Sequence, residues 1–317
     1  MANIEFSKAQ RLDQKVIELI PELSRSFSVK LIEDGKVLVN GTAQHKAGSK
    51  VRDYDTVVVD YDMAELAVIP DIDLEVLYED DDCVVINKPV GVLTHSKGAF
   101  NPEATVASWL RQHVIHTTSV PAEEKEQPEQ KSHFLPNAMG EAEGLSPLQG
   151  SRGGIVHRLD RATSGVMICA KNPEALSWLQ KQFSQRKTKK TYMAVVQGTM
   201  DPESAIIDMP IERNPKAPST FRVGNQGKAA RTTYRTVRTG KSHSLLELKP
   251  ETGRTHQLRV HLATQGHPIV GDTLYKGQEA DRLYLHAAEL EITIPHDHER
   301  KIFRVPTPKE FEEKASS

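Results

Sequence analysis

The sequence is short of several things that would have named a chemistry at once. It holds two cysteines, Cys83 and Cys169, 86 positions apart, and no C-x-x-C pair. A disulfide framework and a thiolate zinc site are thereby excluded, and both thiols lie in apolar, strand-like runs that read as reduced core. No run approaches the roughly 18 apolar residues that a membrane span needs. The first residues, Met-Ala-Asn-Ile-Glu-Phe, lack a basic segment followed by an apolar one, so no signal peptide is expected and the cytoplasm is the expected location. There is no Gly-rich phosphate loop. Aromatic residues make up 5% of the chain, and the net charge is −2 over 317 residues. An overall surplus of positive charge, the simplest mark of a nucleic-acid binder, is missing.

The charge is distributed unevenly. Residues 1–61 carry 9 basic and 9 acidic side chains, residues 62–116 carry 3 and 10, and residues 117–150 carry 2 and 6. Residues 151–317 carry 27 and 18, a surplus of nine positive charges. A polyanion would therefore meet the C-terminal half.

That half contains the stretch around which the chain is organised. Ile155-Val156 lead into His157-Arg158-Leu159-Asp160-Arg161-Ala162-Thr163-Ser164-Gly165, and residues 166–170 run out as a buried strand. One carboxylate sits among two arginines and a histidine. An unpartnered buried carboxylate would cost several kcal/mol or take up a proton. Flanking cations keep it ionised, as a nucleophile must be.

H-R-L-D-x-x-T-S-G followed by an apolar strand resembles the catalytic motif of the RluA family of pseudouridine synthases. The resemblance extends over roughly residues 75–305. Asn87-Lys88-Pro89-Val90-Gly91 resembles the element that opens the synthase domain, Lys190-Thr191-Tyr192 before an apolar strand resembles a second motif, and Gly253-Arg254-Thr255-His256-Gln257-Leu258-Arg259-Val260-His261 a third. The resemblance makes Asp160 the nucleophile, Tyr192 the ring that stacks on the target uracil and joins the late proton transfer, and Arg259 the partner of the carboxylate. Arg158 is the candidate wedge into the gap left by an extruded base, and His157 and Arg254 are further candidate RNA contacts. Lys88 is a weaker candidate to face RNA.

At the N-terminus, residues 8–34 read as two helices. Leu12, Val16, Leu19 and Ile20 form an apolar stripe, Pro21 ends the first helix and Ser24 caps the second, which stops at Gly35. A strand at 37–39, an Asn40-Gly41 turn and strand structure over 51–61 follow. The segment is similar to an RNA-binding module first seen in a small-subunit ribosomal protein. That likeness implies RNA contacts at Arg25, Lys30 and Lys36. Residues 1–62 are thus expected as an RNA-binding module, 63–73 as a linker, and 74–317 as a pseudouridine synthase domain. Within it, 117–150 is acidic, polar and Pro-broken and reads as a flexible insertion.

The fold class expected is α+β: a small ααβ-type module, then a mixed, mostly antiparallel sheet flanked by helices. Further strands are expected at 74–78 and 83–86 around an acidic turn, from 191, at 245–248, and after Gly227-Lys228. Helices are expected at 105–116, at 173–186 and around Leu258 and Leu262. His256, His261 and His267 match no zinc spacing, and no metal is expected. The reaction implied is an isomerisation with no cofactor, acting on structured RNA. Large-subunit ribosomal RNA is the first choice and transfer RNA the second. A base deaminase would need a His/Cys zinc set, and a glycoside hydrolase a carboxylate pair. A non-catalytic ribosome-assembly protein that only binds RNA is the remaining rival.

Overall fold

The computed structural model describes residues 9–20, 23, 25–60, 69–95, 103–114 and 153–316. Ser24, most of the 63–73 linker and the whole 117–150 insertion lie outside the described residues. The chain divides into two compact units, one of residues 1–72 and 95–153, the other of residues 73–94 and 154–317.

In the first unit a short β1 (Gln10–Arg11) precedes α1 (Leu12–Leu19), and α2 (Arg25–Glu33) follows. Leu12 and Val16 of α1 pack with Phe27, Leu31 and Ile32 of α2 and with Val37 and Val51. Leu19, placed on the apolar stripe by its spacing, is exposed, because the helix ends before a further turn can bury it. Gly35 takes a positive φ of 72° and ends α2. Then β2 (Val37–Val39) turns into β3 (Thr42–Gln44) through Asn40 and Gly41, whose φ values of 50° and 79° are the pair a two-residue hairpin requires. The strand structure expected over 51–61 is two strands, β4 (Lys50–Val51) on β1 and β5 (Val57–Val59) on β2. A separate helix, α3 (Val106–His113), opens on a capping box between Thr105 and Ser108.

The second unit is built on a nine-stranded sheet. Its strands are β6 (Glu75–Glu79), β7 (Cys83–Lys88), β8 (Ser164–Ala170), β9 (Lys189–Gln197), β10 (Ser204–Asp208), β13 (Arg231–Thr239), β14 (His243–Pro250), β15 (Leu285–Thr293) and β16 (Arg300–Arg304). A small hairpin, β11 (Ile211–Arg213) with β12 (Phe221–Val223), stands apart. The order is β10-β13-β14-β9-β15-β8-β7-β6, with β16 also on β15. β8 and β15 run parallel, and the other described ladders of the sheet are antiparallel. A mixed, mostly antiparallel sheet with helices is the α+β class that the sequence implied. Every residue of β8 is buried, as its unbroken apolar run requires. β13 alternates instead, with Thr232 and Tyr234 inward.

Helices pack on this sheet. In α4 (Pro173–Ser184) the Asn172 side chain accepts from the Ala175 N–H at 2.8 Å and Pro173 takes the first turn. Leu258 and Leu262 of α5 (Gln257–Thr264) and Phe311 and Ala315 of α6 (Lys309–Ser316) enter the same apolar cluster as β9 and β14. β9 begins two residues before Thr191. The extended β15 pairs Leu290 with Lys190 and Glu291 with Lys189, drawing the end of the basic run into the ladder.

Candidate active site

The loop from Leu159 to Ser164 is held from three sides. Leu159 is buried, and Thr94 Oγ1 donates to its carbonyl at 2.8 Å. The N–H of Gly91 donates to the Arg161 carbonyl at 2.8 Å, and that of Thr163 to the Asp160 carbonyl at 3.0 Å. Lys88 corrects its sequence reading. Its side chain is fully buried, and Nζ donates to the carbonyls of Pro89, Val92 and Arg161 at 2.9, 2.8 and 3.3 Å. Burial pushes its pKa down to about 8, although Asp160 favours the charged form. Lys88 ties two loops together rather than meeting RNA.

Each residue of Thr163-Ser164-Gly165 has a separate task. Thr163 closes the turn. Ser164 Oγ lies 2.9 Å from His286 Nδ1 and accepts from Arg282, which joins the loop to the C-terminal segment. Gly165 has a φ of 115°, and a Cβ there would stand 2.2 Å from the Ala287 carbonyl oxygen. Only glycine lets β8 pass β15 this closely.

The result is a cleft whose walls come from the Arg158–Thr163 loop, β9, the β14–α5 connection, α5 and Leu285. The cleft is open on one side, and its cavity volume of about 120 Å³ is smaller than a drug-sized pocket. The Asp160 side chain is 20% exposed at this cleft. Arg259 Nη1 stands 3.4 Å from its Oδ2, and His256 Nε2 3.7 Å from the same oxygen. The stronger pairing of Arg259 is elsewhere: Nε and Nη2 each donate to the buried Asp272 carboxylate at 2.7 Å. Tyr192, on β9, lines the cleft half-buried. Burial, and then the charge of Asp160, raise its pKa well above the ordinary phenol value, so it stays protonated. Lys190 lines the cleft too, and burial lowers it to about 8.

The structure therefore brings Asp160, Tyr192, Arg259, Arg158 and Arg254 to one cleft. Arg158 is exposed there, and Arg254 is tethered by Nε to the Ala229 carbonyl at 3.0 Å. His157 is turned away. Its Nε2 accepts from the Ile168 N–H at 3.2 Å and its ring stacks on Phe183 with centroids 4.5 Å apart. Burial pushes its pKa down to about 3, so it carries no charge for a phosphate. Arg25, Lys30 and Lys36 belong to the first unit. Arg25 donates to the buried Asp13 at 3.0 Å, while Lys30 and Lys36 are exposed. The three histidines weighed for zinc have separate partners: His256 meets Tyr275, His261 meets Thr232 and Met209, and His267 meets the Gln197 carbonyl.

Asp272, Tyr275 and the approach of His256 to Asp160 were not found from the sequence. Asp272 follows a Gly-rich turn 13 residues beyond Arg259, and no local pattern marks it as the partner of that arginine.

Known proteins resemble this chain over most of its length. The RNA pseudouridylate synthase family profile matches residues 82–264, which hold the Asp160 loop, Tyr192 and Arg259. An uncharacterized RNA pseudouridine synthase of Aquifex aeolicus is 35% identical over 270 residues, 84% of this chain and 77% of that protein. Ribosomal large subunit pseudouridine synthase D of Escherichia coli K12 is 34% identical over 327 residues, 98% of this chain and 90% of that one. The structure of human RNA pseudouridylate synthase domain containing 1 superposes with a TM-score of 0.54 at 28% identity, covering 75% of this chain and 86% of the human one. This chain thus belongs to the RNA pseudouridylate synthase family, whose members are isomerases that convert uridine to pseudouridine.

Proposed function

We propose that this chain isomerises specific uridines of large-subunit ribosomal RNA, with Asp160 as nucleophile, Tyr192 as the ring that receives the uracil, and Arg259 as the cation beside the carboxylate. The observation that supports this most directly is the placement of Asp160: a carboxylate at a small cleft, approached by a guanidinium on one oxygen, with a phenol in the same cleft. The pseudouridine synthase D relatives, named for the ribosomal large subunit and matched over nearly the whole chain, support the choice of RNA.

The net chemistry is the exchange of a C–N for a C–C bond. Uracil leaves ribose through N1, returns through carbon 5, and the proton lost from carbon 5 is balanced by one gained at N1. Nothing is oxidised or reduced, so the exchange requires no redox cofactor. A lone pair of Asp160 adds either to the anomeric carbon, as the glycosidic pair leaves with uracil, or to the uracil ring. The target base must leave its stack to reach the cleft. Exposed Arg158 fills the gap, and Arg254 and Lys190 meet flanking phosphates.

The N-terminal module, residues 1–62, adds RNA contacts through Lys30, Lys36 and the outer edge of Arg25, and the catalytic domain spans 74–317. The cytoplasm is the proposed place of action. Transfer RNA is the second choice of substrate.

The test is a map of pseudouridine at single-nucleotide resolution in ribosomal and transfer RNA, with and without the protein. Loss of large-subunit sites, restored by wild type but not by Asp160→Asn, is the expected result. Restoration by Asp160→Asn would remove Asp160 as nucleophile, and loss confined to transfer RNA would move the substrate there.

A further inference from the structure

His256 sits where chain geometry, hydrogen bonding and the nucleophile converge. It precedes α5 in the left-handed region, with φ 56° and ψ 20°, a conformation uncommon outside Gly that Asn, Asp and His adopt more readily than other side chains. Its Nδ1 lies 2.8 Å from the Tyr275 hydroxyl. That hydroxyl oxygen already accepts from the Phe221 N–H at 2.9 Å, so the phenol's own hydrogen is available for the Nδ1 lone pair. A neutral imidazole accepting at Nδ1 carries its proton on Nε2, a tautomer assigned here from the hydrogen-bond network. Nε2 is the atom that faces Asp160, 3.7 Å from Oδ2.

The ring has little freedom to turn. Phe221 and Tyr275 stand edge-on to it, each with centroids 5.6 Å away, and the Arg259 guanidinium lies 5.2 Å from the Tyr275 ring centroid. Both cleft-side contacts of Asp160 fall on one oxygen: Arg259 Nη1 and His256 Nε2 each approach Oδ2. Among the described residues, the hydrogen bond that Asp160 accepts from a side chain falls on Oδ2 and none engages Oδ1.

Resting on the reading of Asp160 as nucleophile, we propose that His256 is a positioning residue. Oriented by Tyr275, it acts with Arg259 to hold Oδ2 and leaves Oδ1 as the attacking oxygen. The orientation by Tyr275 belongs to the neutral imidazole, because a second proton on Nδ1 would displace the phenol hydrogen from its acceptor. Burial lowers the pKa of His256, against the opposite pull of Asp160. The charged and titratable groups around it are Asp160 and Arg158 from the loop, Arg259 and Asp272, and Tyr275 itself.

Two substitutions separate this role from a purely structural one. Gln reaches as far as Nε2 and offers an N–H there, but is poorly suited to a positive φ. Asn suits that φ, but is too short to reach Asp160. The assay is release of tritium from carbon 5 under single-turnover conditions. It uses full-length protein and uridine-C5-tritiated total RNA from cells that lack the protein. We expect His256→Gln to lose about 3- to 10-fold and His256→Asn about 30- to 100-fold, the scale of a misplaced reacting group, with RNA affinity little changed. Tyr275→Phe should move the acid limb of the pH–rate profile up by about one unit, since Nδ1 is no longer occupied. Asn equal to or better than Gln, or an acid limb unmoved in Tyr275→Phe, overturns the inference. Activity in Asp160→Asn, measured in parallel, would instead overturn the reading beneath it.

Discussion

Arg259 is bound to Asp272 before it is bound to Asp160. Two of its nitrogens reach the Asp272 carboxylate at 2.7 Å, and the third is left to approach Asp160 at 3.4 Å. The Asp272 side chain is fully buried, so the pair is shielded from water and fixed in direction. Burial works to lower the pKa of Arg259, but Asp272 and Asp160 outweigh it and hold the cation above its ordinary value. The guanidinium is thus in place before any substrate arrives, which favours a preorganised site over one assembled on binding.

Arg259→Lys should therefore be far from conservative. A point ammonium cannot supply two parallel donors to Asp272 and a third to Asp160. Partial loss of a buried pair should cost about 2–4 kcal/mol in urea unfolding. The single-turnover rate should fall about 100-fold. A variant with wild-type stability and rate would show that the Asp272 pairing is incidental.

Gly165→Ala should be among the most damaging small changes in the chain. The added Cβ would meet the Ala287 carbonyl oxygen at 2.2 Å, a backbone atom that cannot swing aside, at a φ of 115°. We expect a loss of about 3–5 kcal/mol, read by thermal or urea unfolding. Gly91→Ala is the control. Its φ of 88° carries the same backbone penalty, but nothing lies within 4 Å of its Cβ, and about 1–2 kcal/mol is expected.

Lys88→Met should keep the buried volume and remove the ammonium that serves three carbonyls. Relief from burying a charge offsets part of the loss, leaving a net cost of about 1–3 kcal/mol. The Arg161 carbonyl would keep its Gly91 partner. Amide exchange should quicken at Gly91 and Thr163 more than in β8. Unchanged exchange at both would detach Lys88 from the loop.

Stability should fall on mild acidification. His286 is held neutral down to about 4 and His157 down to about 3, both by burial. An unfolded histidine takes up its proton near 6.5, so below that pH the unfolded state binds more protons than the folded one. The contribution is complete above about pH 6.5 and is lost as the pH falls toward 4 and then 3. Urea midpoints measured from pH 7.5 to 4.5 should decline, and His157→Gln should decline less steeply. Equal slopes would place the acid sensitivity elsewhere.

Much of the fold was legible because burial leaves a period. The unbroken apolar run of β8, the alternation in β13 and the spacing in α4 each state how many faces are covered. Asn40-Gly41 and Gly35 state the backbone conformations the first unit adopts. The reading failed where one residue's surroundings decide its part. Lys88 looks like a surface cation, and only the folded loops show three carbonyls turned toward it. His157 sits beside Arg158, yet its ring stacks on Phe183 while Arg158 is exposed at the cleft, and nothing local in the sequence records that difference.

The sequence by itself determined the motifs, the reaction class they resemble and the carboxylate on which the chemistry is proposed to rest, because these depend on residue identity and local order. Only the tertiary structure decided which groups surround that carboxylate. Asp272 lies 112 positions from Asp160 and Tyr275 lies 115, and neither is marked by its neighbours in the chain. They reach the site because the cores around β8, β9 and α5 fold those segments together. A hydrogen bond of 2.7 Å depends on that distance in space, which order along the chain does not record.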